Sequence, residues 1–203
     1  MKYFFPAMLS ICFLLTACKS DKKTTDSGTT DDGTSTASST ASGDASSTAP
    51  DQDAMNKKME ELKKLTPLTV DQLKGLLPEE LNGIKRTSFN ANSTMGFAVA
   101  EAEYRKDDST VIKLDIYDCA GEAGAGIYGL NYWTKMNMQS ESSDGYTKTF
   151  DFMGNKAVET YEKNSNQYTL TFAANDRLLV VLSGRNTGID ALKDAAKSLK
   201  LKV

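Results

Sequence analysis

Apolar and polar positions divide the chain into three zones. Residues 3–15 are an almost unbroken apolar run, interrupted only by Pro6 and Ser10. Residues 20–52 contain no large apolar side chain. From residue 54 onward, apolar positions recur with helical or strand periods. Met55, Met59 and Leu62 fall at i, i+4 and i+7, which predicts a helix over 54–65, with Asp53 placed to cap it and Thr66-Pro67 to end it. Thr69 caps a second short helix with Leu73, Leu76 and Leu77 on its apolar side and Pro78 as its stop, and 79–83 reads as a turn.

Period 2 then takes over. It predicts strands at 84–89, 96–105 and 111–117, the second alternating Ala98, Ala100, Ala102 and Tyr104 against Glu101, Glu103 and Arg105. The third sets Ile112, Leu114 and Ile116 on one face, after a turn at Asp107-Asp108. A Gly/Ala-rich loop follows, and then Ile127, Leu130 and Trp133, with Tyr128 and Tyr132, predict a helix over 127–138. Four strands in meander order come next, at 145–151, 156–162, 167–173 and 177–183. They are separated by Gly154-Asn155, Asn164-Ser165-Asn166 and Asn175-Asp176, residues that tight turns favour. The run 178–182 predicts the most buried strand, and Ile189, Leu192, Ala196 and Leu199 predict a terminal helix packed on the sheet. Strands joined by short turns must be antiparallel. The expectation is therefore an α+β domain over 53–203: a mostly antiparallel sheet of six to seven strands covered by helices.

The first two zones change the picture from fold to address. The 3–15 run follows Lys2, is too short to span a bilayer, and suits a signal peptide over 1–17. It closes on Leu15-Thr16-Ala17-Cys18, which resembles the lipobox of bacterial lipoprotein signals. That resemblance implies cleavage between Ala17 and Cys18, a diacylglyceryl thioether on Cys18 and an acylated amine, anchors that hold a protein on a membrane durably. Lys19 in place of Asp after the cysteine implies sorting to the outer membrane. Residues 18–52 are then a lipidated tether rich in Ser, Thr, Asp and Gly, unable to repay the entropy of ordering and reaching roughly 30–35 Å.

Charge sharpens the division. Residues 19–53 carry three Lys against seven Asp, whereas residues 54–203 carry 20 basic and 20 acidic side chains. A neutral domain of mixed charge has no electrostatic footprint for nucleic acid. The element order over about 65–203, with its LTVDQLKGLLPEELNGIKRT entry and LLVVLSGRN strand, resembles a group of bacterial envelope proteins and, more loosely, the Mog1/PsbP-like α/β/α sandwich. That resemblance implies a fold used for binding proteins or small partners and supplies no site residues.

Candidate chemistry is sparse. The chain has no His, which removes Ser-His-Asp and Cys-His catalysis and imidazole metal ligands. Cys12 falls in the signal and Cys18 in the lipobox, so Cys119 is left without a disulfide partner, a small residue at a strand end beside Asp118 and Glu122. Gly124-Ala125-Gly126-Ile127-Tyr128-Gly129 has the G-x-G-x-x-G spacing of a dinucleotide site. The alternating strand after it argues for a loop that merely needs flexibility, and no cofactor is expected. The carboxylate pairs Glu79-Glu80, Asp107-Asp108 and Glu101/Glu103 lack calcium-loop spacing and read as solvated surface, so no metal is expected either. Tyr128, Tyr132 and Trp133 form the candidate ligand or partner surface, weighed against plain core packing. The expected function is a lipid-anchored envelope module that binds another envelope protein or a small ligand. A carboxylate-dependent enzyme and a lipid or lipoprotein chaperone are the alternatives.

Overall fold

The computed structural model describes residues 51–203. The expectations for the signal peptide, Ala17, Cys18 and the tether up to residue 50 fall outside the described residues, whereas Asp51 and Gln52, expected to end the tether, begin the first helix. Helix α1 spans Gln52–Lys63 and is capped by Asp51, whose carboxylate accepts from the amides of Asp53 and Ala54 at 3.1 Å each. The cap is therefore Asp51 rather than Asp53. Helix α2, Val70–Gly75, starts at a full capping box: the Thr69 hydroxyl accepts from the Gln72 amide and the Gln72 side chain accepts from the Thr69 amide.

One antiparallel sheet of nine strands organises the rest, in the order β1-β2-β3-β4-β9-β8-β7-β6-β5. Its strands are β1 (Glu80–Leu81), β2 (Ile84–Thr94), β3 (Phe97–Arg105), β4 (Val111–Asp118), β5 (Gln139–Ser142), β6 (Gly145–Phe152), β7 (Asn155–Glu162), β8 (Gln167–Ala174) and β9 (Leu178–Arg185). Two meanders run outward from the centre, and β4 meets β9 antiparallel from Val111 opposite Arg185 to Asp118 opposite Leu178. The α+β class and the antiparallel sheet stand, but the expected six to seven strands become nine. The additional strands carry little pattern: β1 is two residues long, and all four residues of β5 are exposed. Residues 79–83 hold β1 as well as a turn, in which Asn82 and Gly83 take φ of 51° and 76°. The turn after β6 is formed by Met153 and Gly154, one residue earlier than Gly154-Asn155, with φ of 50° and 82°. Strand β9, the fifth of nine, buries Leu178, Leu179, Val180, Leu182 and Gly184, as its apolar run predicts.

Helices cover both faces of the sheet. On one face α2 and helix α4 (Ile189–Ser198) pack Leu73, Leu76, Leu77, Leu192, Ala195 and Ala196 onto the inward rows of β3, β4, β8 and β9. The alanines at 98, 100 and 102 let α2 approach closely; a row of larger side chains would hold it off. On the other face α1 and helix α3 (Gly121–Leu130) enclose Leu62, Cys119, Ala125 and Leu179, with Met59, Tyr117, Ile127 and Tyr128 at the margin.

The middle helix differs most from expectation. The stretch read as a flexible Gly/Ala loop is the helix, and the predicted 127–138 helix ends at Leu130. Asn131 stops it by turning its side-chain amide back to the Ile127 carbonyl at 2.9 Å, and Tyr132–Lys135 form one 3₁₀ turn. The aromatic spacing at 128, 132 and 133 therefore runs across a helix end rather than along one helix. The glycines serve packing. A Cβ on Gly124 would lie 2.5 Å from the Cys119 carbonyl carbon, and one on Gly129 would meet the Met59 sulfur at 2.9 Å. They let α3 sit against the end of β4 and let α1 cross it.

An ion pair pins this end of the sheet. Asp118, fully buried, accepts from Arg177 Nε at 2.7 Å and Nη2 at 2.8 Å. It also accepts from the amides of Leu68 at 2.7 Å and Ala120 at 3.1 Å, while Arg177 Nη2 donates to the Thr66 carbonyl. The α1–α2 linker, the β4 end and the β8–β9 turn are thereby joined through one carboxylate.

Candidate functional site

The aromatic set expected as a contact surface is only partly assembled as such. Tyr128 stands on α3 and Tyr132 on the 3₁₀ turn, their ring centroids 5.9 Å apart, and Trp133 follows in the same turn. Lys135 Nζ lies 5.4 and 5.7 Å from the two tyrosine centroids, and the Tyr132 hydroxyl donates to the Asp51 carbonyl at 3.2 Å. Both rings are half-buried. The crevice they form with Cys119, Asn131, Arg177 and Leu179 has room for roughly one water molecule. The tyrosines clamp α3 and its following turn to the start of α1 and leave no ligand-sized opening between them.

The roomier surface is on the same face of the sheet, beyond the reach of α1 and α3. Alternation along β3 and β4 sends Glu101, Glu103, Lys113 and Asp115 to that side, opposite the core rows. Register then makes neighbours of residues far apart in sequence: Glu101 faces Asp115 and Glu103 faces Lys113. A depression of about 430 Å³ lies over them, lined also by Ser88 and Asn90 of β2. A second of about 210 Å³ adjoins it through Glu103 and Lys113 and adds Arg105, Gln167, Ser183 and Arg185. The surface continues as a hydroxyl row on four successive strands, in which Thr147, Thr160, Thr169 and Ser183 stand in direct register. Thr147 lies 3.2 Å from Thr160, and Thr169 lies 3.2 Å from Ser183.

Electrostatics distinguishes the carboxylates. Asn90 Nδ2 donates to Glu101 Oε2 at 2.9 Å, and Arg105 Nη2 donates to Glu103 Oε1 at 2.6 Å. Among the described residues Asp115 has no such donor, and partial burial, reinforced by the Glu101 charge across the strand gap, holds its carboxyl above the ordinary value. Like charges directly opposite in a sheet are unfavourable, so this pair is the one place on the face where the register works against stability. Sequence reading placed Glu101 and Glu103 on the solvent side but missed Asp115 and Lys113; the period-2 pattern of β4 marks both as outward.

The remaining candidates are structural. Cys119 is buried, and desolvation with the neighbouring Asp118 charge pushes its thiol up to about 12, so it is not a nucleophile. Asp107 folds its own turn by accepting from Ser109 and Thr110, which lowers its carboxyl to about 2. Glu80 lies on β1 opposite Lys85 of β2. Glu159, absent from the sequence reading, is 1% exposed on the α4 side and accepts from the Tyr146 hydroxyl at 2.5 Å, with Lys148 and Lys193 each at 3.2 Å. Lys193 approaches Oε2 at ion-pair distance but off the hydrogen-bonding direction, leaving that oxygen with a charge partner and no hydrogen bond. Burial opposes ionisation of Glu159, but the Tyr146, Lys193 and Lys148 contacts outweigh it and keep the carboxyl below its ordinary value. Among the described residues, no group of three or more His, Cys, Asp or Glu is placed to hold a metal, and no helix is long and apolar enough to cross a membrane. No family model, curated protein or solved structure matches this chain.

Proposed function

We propose that this chain is a lipid-anchored protein of the bacterial cell envelope, sorted to the outer membrane, whose 53–203 domain binds a polar ligand or another envelope protein. The observation that carries it is Leu15-Thr16-Ala17-Cys18 at the end of a short apolar run, followed by a Ser-, Thr-, Asp- and Gly-rich tract with no large apolar side chain. The domain supports binding rather than turnover. The buried titratable side chains at 104, 118, 119 and 159 are held in hydrogen bonds or desolvated, whereas the open sheet face offers fixed hydroxyls and charges of both signs. Cys18→Ser tests the anchor: the wild-type chain should enter the detergent phase on phase separation and the variant the aqueous phase. Equal partitioning of the two would refute it. A thermal-shift screen of glycans and peptides, repeated on Lys113→Ala, tests the surface, because ligands of this face should lose most of their shift in the variant.

The Glu101/Asp115 pair favours a second reading, carboxylate-dependent acid–base chemistry on the same face. Asp115, with its raised carboxyl, retains a proton at higher pH than an ordinary aspartate, and the Glu101 side chain stands directly opposite it. A hydrolase panel in which activity appears and is lost in Asp115→Asn would move the assignment to this reading.

A further inference from the structure

The two edges of the sheet are built differently. At one end β5 is four residues long and carries Glu141, a short and charged edge of the kind that discourages further pairing. At the other end β1 shields only the start of β2. Its two residues pair with Ile84 and Lys85, and the last outward bond is from the Arg86 amide to the Glu79 carbonyl. From there to the turn at Met95, residues 87–94 (TSFNANST) have β3 on one side and, among the described residues, no strand on the other. This edge has no charge and no proline, and no helix of the described residues covers it. It also leaves apolar surface in view, with the Phe89 ring 50% exposed and Ala91 only partly buried.

We propose that the outer edge of β2, residues 87–94, pairs antiparallel with the same edge of a second copy of this chain, joining two sheets into one across a two-fold axis. Self-pairing suits this edge better than capture of a charged segment, since an eight-residue run without charge meets its own copy with no like charges opposed. A two-fold axis normal to the sheet keeps each face aligned only if opposed residues have the same parity. Centring it on Asn90 meets that condition. Phe89 then lies opposite Ala91 of the second copy, covering each half-exposed ring, while Ser88 faces Asn92 and Asn90 faces its own copy. The Arg86 cations fall at opposite ends of the paired segment, eight residues apart, where their repulsion is screened.

Sedimentation of the full chain in mild detergent tests this. Dimers of wild-type chain are expected. Asn90→Lys, which sets two ammonium groups face to face at the axis, should raise the dimer dissociation constant at least roughly tenfold with unchanged circular dichroism. Should that variant not fold, Asn90→Cys supplies an independent readout. Mild oxidation should give a disulfide-linked dimer through residue 90, whereas Ser140→Cys on the opposite edge should stay monomeric. A wild-type monomer throughout the accessible concentration range overturns the proposal. So does a dimer untouched by Asn90→Lys, or crosslinking that is as efficient through residue 140 as through residue 90.

Discussion

Replacing Gly124 and Gly126 separately by alanine should move stability in opposite directions, although both residues lie in the same turn of α3. At Gly126 no heavy atom outside the local helix lies within 4 Å of a built Cβ. Alanine there only removes backbone freedom from the unfolded chain, and the gain should be about 0.5–1 kcal/mol. At Gly124 the same methyl lies 2.5 Å from the Cys119 carbonyl carbon and 2.6 Å from the Asp118 carbonyl oxygen, backbone atoms at and just past the end of central strand β4. Carbon atoms pack favourably near 3.5–4.0 Å, so α3 must withdraw by about 1 Å. That withdrawal opens the cluster of Leu62, Cys119, Ala125 and Leu179, each buried. Overpacking of this kind costs about 1–3 kcal/mol, more than the helix-propensity gain of about 1 kcal/mol. Urea denaturation followed by circular dichroism should therefore place the two midpoints on opposite sides of wild type. Gly124→Ala as stable as Gly126→Ala would refute the close seating of α3.

Two further outcomes follow from the buried charges. Arg177→Met should destabilise the domain by about 3–5 kcal/mol, because Asp118 keeps its amide donors but loses the only countercharge it has among the described residues, in a site closed to solvent; thermal unfolding measures it, and a loss within 1 kcal/mol of wild type would place that carboxylate in contact with water. Glu159 has a folded-state value below the unfolded one, so its contribution is fully present at neutral pH and is lost as pH falls through the glutamate range toward the lower folded value. Wild type minus Glu159→Gln stability should accordingly shrink between roughly pH 5 and pH 3, and a difference constant over that window would contradict the assignment.

What reads from sequence alone is what local chemistry controls. Thr69 with Gln72 makes a capping box because the donors and acceptors lie three residues apart, and 178–182 becomes the central strand because no other five residues of 53–203 are so uniformly apolar. The alternation of β3 and β4 likewise fixes which side chains face α2 and α4. The Gly-rich segment misleads for the converse reason: α3 has poor intrinsic propensity and exists because α1 and β4 pack on it, a gain invisible to any local rule. β1 and β5 escape notice because they are held by neighbours' hydrogen bonds: β1 is two residues long with Leu81 alone buried, and all four residues of β5 are exposed.

The candidate surface follows the same division. By itself the sequence determined the lack of imidazole, the antiparallel α+β class and the outward placement of Glu101 and Glu103. Only the tertiary structure decided that Asp115 faces Glu101, that Asp118 is neutralised by a residue 59 positions away, and that the tyrosines clamp a helix end. Periodicity assigns a side chain to a face, but its neighbours on that face depend on strand register and order, which are set by packing and hydrogen bonding between segments distant along the chain.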